Sequence, residues 1–285
     1  MDTLVVELLP KILKFLDEAG AYALEKQHTA RRSVKVDNTL VTETDQAISK
    51  LAYDSFAEYY TQRDHLLIDE ETVMHLGSPD EVLGKATYTW VLDPIDGTVP
   101  YAWGRSTWAV SMGILKDLKP WISAVYLPST REMFIYDGVK AHWITDPFSR
   151  AEQKHDIGMV GSPDIDSETP VDLGSEIIDT VNWDSTCGKP SILLCAVSGY
   201  TRTLMGRGMG SIYLDCPWDF CGIWAIAQAA GLQFRHSETG EVIDRLNPDL
   251  LASNWKKKAP WILSTEKSFA TLQKGLVKRY ASKVA

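Results

Sequence analysis

Apolar residues at Leu4, Val5, Leu8, Leu9, Ile12, Leu13 and Leu16 recur at helical spacing and predict an amphipathic helix that runs past Tyr22. The polar stretch RRSVKVDN breaks this pattern. From Thr44 to about Tyr60 a second stripe, Ile48, Leu51, Ala52 and Phe56, predicts another helix. HLLIDEE reads as a short buried strand that ends abruptly in acid and delivers Glu70 and Glu71 at its C-terminal end. Strands then dominate. Tyr88 to Leu92 ends at DPIDGT, and Trp108 to Leu115, Trp121 to Leu127, Arg131 to Tyr136 and Lys140 to Ile144 are β-rich runs separated by turn chemistry in KDLKP, LPST and DG. That spacing predicts an antiparallel meander.

The stretch from Thr145 to Gly188 is polar and rich in Asp, Ser and Pro, and marks a boundary between an N-terminal α+β half, residues 1–145, and a C-terminal α/β half, residues 146–285. In the second half, Ser191 to Val197 reads as a buried strand, Tyr200 to Met205 as a short helix and Ser211 to Leu214 as a strand. Phe220 to Ala230 reads as an apolar helix closed by Gly231, and Trp261 to Leu263 as a late strand. From Ser268 onward a terminal helix is expected, with Lys278, Arg279 and Lys283 in a basic last turn that suits its dipole. Helices and strands mix without regular βαβ alternation, so the predicted class is α+β in packed layers.

Composition narrows the function. The chain has 285 residues, 45 % apolar and 24 % charged, enough for a large core without disulfide or metal staples. With 29 basic and 38 acidic residues the net charge is −9, which argues against a nucleic-acid backbone binder. Cys187, Cys195, Cys216 and Cys221 show neither CxxC nor zinc spacing and read as reduced, mostly buried thiols. The N-terminus carries Asp2, Glu7 and Pro10 where a signal peptide would be basic and then apolar, and no stretch approaches the ~20 apolar residues that span a bilayer. A soluble cytoplasmic protein is the expectation, with no membrane and no nucleic-acid partner.

The candidate chemistry is acidic. Glu70-Glu71, Asp93, Asp96 and Asp219 each sit where an apolar run ends or a helix begins. Alone, DPIDG is an ordinary turn, Asp219 a helix N-cap and Glu70-Glu71 a solvated strand end. Taken together, they form a set of hard oxygen donors that suits Mg²⁺ or Mn²⁺. Gly97 permits a tight turn whose following amides face a ligand as an anion nest. An EF-hand reading fails, because the twelfth position from Asp93 is Gly104, where a bidentate Glu is required.

These segments carry a resemblance. WVLDPIDGT (Trp90 to Thr98) is similar to the signature of the inositol monophosphatase family of metal-dependent, typically lithium-sensitive phosphatases. So are DNTLVTETD (Asp37 to Asp45), IDEET, and PWDFCGIWAIAQAAG (Pro217 to Gly231), in family order. The resemblance implies a layered αβαβα sandwich of the inositol monophosphatase/fructose bisphosphatase type, a homodimer, and two or three Mg²⁺ ions. It implies that Glu70, Asp93, Asp96, Asp219 and the Ile95 carbonyl are metal ligands. By the same resemblance Asp45 and Thr98 orient and deprotonate the attacking water, with Glu70 counted in the catalytic set, and Gly97 and Thr98 supply backbone donors to phosphate. Ser198, opening Ser198-Gly199-Tyr200, matches a helix start beside the substrate, and Arg202 reads either as an exposed helix residue or as a phosphate contact. Where inositol-specific members carry a Glu before Trp-Asp, Ile212 stands at the ungapped position and Asp215 takes the role if the loop is shortened. The implied activity is hydrolysis of a small phosphorylated metabolite. Inositol monophosphatase, bisphosphate nucleotidase, histidinol-phosphatase, fructose-1,6-bisphosphatase and NADP phosphatase activities all stay open, as do a catalytically silent binding member and a non-enzymatic Ca²⁺ module.

Overall fold

The computed structural model describes residues 2–34, 40–161 and 166–278. Its elements stack in five layers. The outer layer holds the helices Thr3–Lys26 and Glu43–Tyr60. Val5, Leu8, Ile12, Phe15, Leu16, Ala19 and Ala23 from the first, and Ile48, Ala52 and Phe56 from the second, bury against one face of a seven-stranded sheet. The sequence stripe and this face coincide, as burial of an amphipathic helix requires.

That sheet runs in the order His65–Asp69, Tyr88–Asp96, Ala109–Lys116, Lys119–Leu127, Glu132–Tyr136, Ala141–Thr145, Gln153–Asp156. The first pair is parallel; every later pair is antiparallel, the predicted meander. Its seventh strand, Gln153–Asp156, comes from beyond the expected division at residues 145/146. On its other face lie the helices Ala196–Leu204 and Pro217–Ala229. They are covered in turn by a six-stranded sheet in the order Lys189–Ser191, Pro170–Leu173, Gly210–Tyr213, Trp261–Ser264, Gln233–His236, Val242–Ile243. The helices Ser175–Thr180 and Glu266–Gly275 close the last layer through Ile177 and Leu272.

Three expectations change. Ser191 to Val197 is not a strand: pairing stops at Ser191, Leu194 takes φ of +59°, and a helix starts at Ala196 with Cys195 as its cap. Strand Tyr88–Asp96 continues past Leu92, with a register shift between Asp93 and Asp96 in which Pro94, lacking an amide hydrogen, is accommodated. The terminal helix stops at Gly275, whose α-carbon lies against the Trp183 indole, and Leu276–Lys278 instead pairs with Val181–Trp183. Lys278 is therefore in a strand; Arg279 and Lys283 lie outside the described residues.

One contact between layers sets the site. Helix Pro217–Ala229 lies directly on strands Ala109–Lys116 and Lys119–Leu127, at positions where both sides are small. Ser123 Oγ donates to the Cys221 carbonyl at 2.9 Å and accepts the Ala225 amide at 3.1 Å; Ser111 Oγ donates to the Trp218 carbonyl at 3.3 Å. A Cβ on Gly113 would stand 2.4 Å from the Cys221 carbonyl oxygen. Buried serines thus satisfy their own polarity on the helix backbone and hold its first turn over the end of strand Tyr88–Asp96.

Candidate metal centre

Asp93, Asp96 and Asp219 each offer a carboxylate oxygen within 4.8 Å of the others. Asp93 and Asp96 flank the register shift, which turns both towards the same point. Asp93 is 1 % exposed, and its Oδ1 is buried without a hydrogen-bond partner. Burial, then the nearby Glu70, Asp96 and Asp219 charges, push it well above the ordinary carboxylate range. Such an acceptor costs stability unless a cation or proton meets it.

Asp96 is held from the opposite direction by the start of helix Ala196–Leu204. The Ala196 amide donates to Oδ1 at 3.1 Å, the Val197 amide to Oδ2 at 2.6 Å, and the Cys195 thiol to Oδ2 at 3.0 Å. Burial raises the Asp96 carboxyl to about 6 despite these donors. The N-terminal amides and dipole of that helix favour the ionised form. Asp219 lies in the first turn of helix Pro217–Ala229, where its Oδ2 accepts the Cys216 amide at 2.8 Å in a capping box. Burial, then Asp215 and Asp96, raise its carboxyl well above the usual range. Asp219 is not the N-cap expected from the sequence: Cys216 is, and Asp219 stands at the third helical position, where one oxygen bonds back to the cap amide and the side chain still joins the group. Glu70 follows strand His65–Asp69, its amide bonded to the Leu92 carbonyl at 3.3 Å, which brings it beside Asp93. Glu71 donates its amide to Asp69 Oδ1 at 3.1 Å and belongs to the turn.

Next to the cluster stands a second unit. Asp45 is fully buried, and its Oδ2 accepts both the Thr42 amide and the Thr42 hydroxyl, a capping box at the start of Glu43–Tyr60. Its Oδ1 lies 3.2 Å from Thr98 Oγ1, which is also 3.0 Å from the Ile95 carbonyl. Burial raises the Asp45 carboxyl to about 6. Gly97, at φ +85°, caps the short helix Thr98–Ala102; a Cβ there would stand 2.8 Å from the Thr107 carbonyl oxygen and 2.9 Å from Cys195 Cβ. Both the sign of φ and the space demand glycine.

The other expected residues take different surroundings. Ser198 Oγ lies 3.0 Å from Cys195 Sγ and lines a cleft of about 200 Å³ with Thr107, Thr130, Glu132, Arg202 and Arg207. Arg202 reaches Ser191 Oγ at 3.4 Å and the buried Asp172 at 3.5 Å. Asp215, expected to line the substrate pocket, is 9 % exposed; Oδ2 accepts the Tyr200 hydroxyl at 2.7 Å and the carboxylate is ion-paired with Lys257, so its acceptors face protein donors. Ile212 is fully buried in the outer core. Sequence reading missed Cys195 and Thr42 as clasps and Lys257 altogether. The spacing Thr42-x-x-Asp45 was a readable capping-box signal; Cys195 and Lys257 had none.

A family model described as inositol monophosphatase family matches residues 5–269. The chain belongs to the inositol monophosphatase family. Membership makes it a phosphoric monoester hydrolase. It is 27 % identical to inositol monophosphatase 1 of Solanum lycopersicum over 216 residues, 73 % of this chain and 74 % of that protein. A shorter match, 30 % over 110 residues and 39 % of this chain against 38 % of the relative, is to the Nus factor SuhB of Salmonella typhimurium. Among solved structures, an IMPase/NADP phosphatase complexed with NADP and Ca²⁺ superposes with a TM-score of 0.74 at 19 % identity, covering 98 % of this chain and all of that one. A family-typical requirement for a divalent metal follows, and the carboxylate cluster fits it. The expected αβαβα layering is the family's fold. No helix among the described residues is long and apolar enough to cross a membrane.

Proposed function

We propose that the protein is a Mg²⁺-dependent phosphomonoesterase acting on a small phosphorylated metabolite. The reading is carried by one observation: three carboxylates converge within 4.8 Å around a buried, unpartnered Asp93 oxygen. Like charges so placed require a cation or bound protons, and when a cation is taken, oxygen-only donors select a hard one. Glu70, Asp93, the Ile95 carbonyl, Asp96 and Asp219 would hold it, two or three Mg²⁺ ions in all, with Mn²⁺ a workable substitute. When bound, the metal neutralises charge on the phosphoryl group and on the departing alcohol oxygen.

The chain's own residues supply the rest. The Thr98 hydroxyl donates to Asp45 Oδ1 and presents a lone pair to a water. As that water attacks phosphorus in line with the ester oxygen, the bond from phosphorus to that oxygen breaks; the water's proton passes to Thr98 Oγ1, the Thr98 proton passes to Asp45, and the released alkoxide takes a proton from solvent. A buried carboxylate raised to about 6 is a base matched to near-neutral pH. The Gly97 and Thr98 amides bind phosphate oxygens, and the cleft beside Ser198 receives the alcohol part of the ester. Its lining of Thr107, Thr130 and Ser198, with Arg202 and Arg207 paired to Asp172 and Glu132, favours hydroxyl-rich alcohols over apolar ones. That keeps nucleotide and NADP phosphates in view alongside inositol phosphate. In this reading the enzyme works in the cytoplasm as a homodimer.

The deciding experiment is phosphate release from a panel of phosphorylated metabolites with Mg²⁺, with EDTA and with Asp93→Asn. Turnover that survives both EDTA and Asp93→Asn would refute the metal assignment.

A further inference from the structure

Lys257 is the most deeply buried cation described. It is 2 % exposed, and its ammonium lies 4.2 Å from the centroid of the Phe220 ring and 4.4 Å from that of Trp261, paired with the Asp215 carboxylate. An ammonium in such surroundings is costly unless paired, and apolar replacement of buried ion pairs is often neutral for stability. Stability is therefore a poor reason for Lys257, and its depth keeps it from touching substrate.

Its contacts lead elsewhere. The Asp215–Cys216 peptide group is held at both ends: the Asp215 carbonyl accepts the Lys257 amide at 3.1 Å, and the Cys216 amide donates to Asp219 Oδ2 at 2.8 Å. The Asp215 carboxylate is fixed independently by Lys257 Nζ and by Tyr200 Oη. Tyr200 belongs to helix Ala196–Leu204, whose first amides grip Asp96. One carboxylate thus ties together the segment that presents Asp219 and the helix that presents Asp96.

We propose that Lys257, acting with Asp215 and Tyr200, is a positioning residue that sets the separation of Asp96 and Asp219 and so the affinity of the centre for its divalent cation. The proposal rests on Asp96 and Asp219 being metal ligands, as put forward above. Partners behind a metal ligand commonly change metal affinity about 10–100-fold when removed. None of the three is expected to act on the bond being broken.

The test is titration of metal-free protein with Mg²⁺ and with Mn²⁺ by calorimetry, without substrate, for wild type, Lys257→Met, Tyr200→Phe and Asp219→Asn. Lys257→Met and Tyr200→Phe should each weaken binding by about ten-fold, and saturating Mg²⁺ should bring kcat back close to wild type. Unchanged metal affinity with a lowered melting temperature would make the cluster merely structural and overturn the proposal. If Lys257→Met does not fold, Tyr200→Phe decides, because it removes one hydroxyl and leaves the ion pair intact. Wild-type protein that binds neither ion, or binds both as well with Asp219→Asn, would instead overturn the metal assignment and this proposal with it.

Discussion

Gly222 faces Ser111 so closely that a Cβ on the glycine would stand 2.2 Å from the serine hydroxyl and 3.0 Å from Val125. Three residues from Asp219, this contact fixes the height of the helix above strand Ala109–Lys116. Gly222→Ala must lift the helix or break the Ser111 bond to the Trp218 carbonyl. Overpacking of this kind costs about 1–3 kcal/mol. Thermal unfolding should show that loss, and Mg²⁺ activation should shift to higher concentration because Asp219 moves with the helix. A variant with wild-type stability and Mg²⁺ dependence would show that the helix is not fixed by this contact.

Thr98→Ala and Asp45→Asn should each lower kcat by about 10²–10⁴-fold with little change in substrate affinity. The two side chains lie 3.2 Å apart and share one proton path in the proposed mechanism, so the double variant should be little worse than the worse single one. Steady-state kinetics of the four proteins measure this; fully multiplicative losses would mean separate roles.

Without metal, stability should fall as pH rises through about 6. Burial raises Asp45 and Asp96 to about 6, above the ordinary carboxylate value, and Asp93 and Asp219 are also raised well above it. The folded form therefore binds more protons than the unfolded chain over this window. The stability that these groups contribute is present below the unfolded value and is lost on ionisation. Mg²⁺ replaces those protons, so it should raise the melting temperature more at pH 7.5 than at pH 5. Equal shifts at both pH values would contradict the linkage.

Li⁺ should inhibit turnover in an uncompetitive or nearly uncompetitive way, by occupying a carboxylate-lined metal position. Progress curves at tens of millimolar LiCl, against NaCl controls, check it. Absence of inhibition would remove the lithium-sensitive label and leave the phosphatase reading intact.

How much of this was legible in the sequence differs by residue. The helices Thr3–Lys26 and Glu43–Tyr60 and the meander follow from periodicity, because each buries one clear face. Asp93, Asp96 and Asp219 stood out only in combination, as acidic segments in family order; alone each reads as an ordinary turn or helix start. Ser191 to Val197 misled because ILLCAV has the composition of a buried strand. What ends pairing there is tertiary: Asp96, about a hundred residues away in sequence, gathers the Ala196 and Val197 amides into a helix start. Strands Gln153–Asp156 and Gln233–His236 are short and polar and gave no pattern. Lys257 sits in the run Lys256-Lys257-Lys258, which reads as a solvated basic patch; only the aromatic box of Phe220, Phe234 and Trp261 distinguishes the middle one.

The carboxylates proposed to hold the cation come from Glu70, Asp93 and Asp96 early in the chain and Asp219 late, with Asp96 held by amides at 196 and 197. A chain emerging from the ribosome therefore carries its acidic cluster uncompleted through most of synthesis. Contacts of such long sequence separation form late, after the loops that join them have closed. Divalent metal should accordingly slow unfolding of the finished enzyme far more than it speeds the first steps of folding. Truncation before Asp219 should yield a chain that no concentration of Mg²⁺ protects.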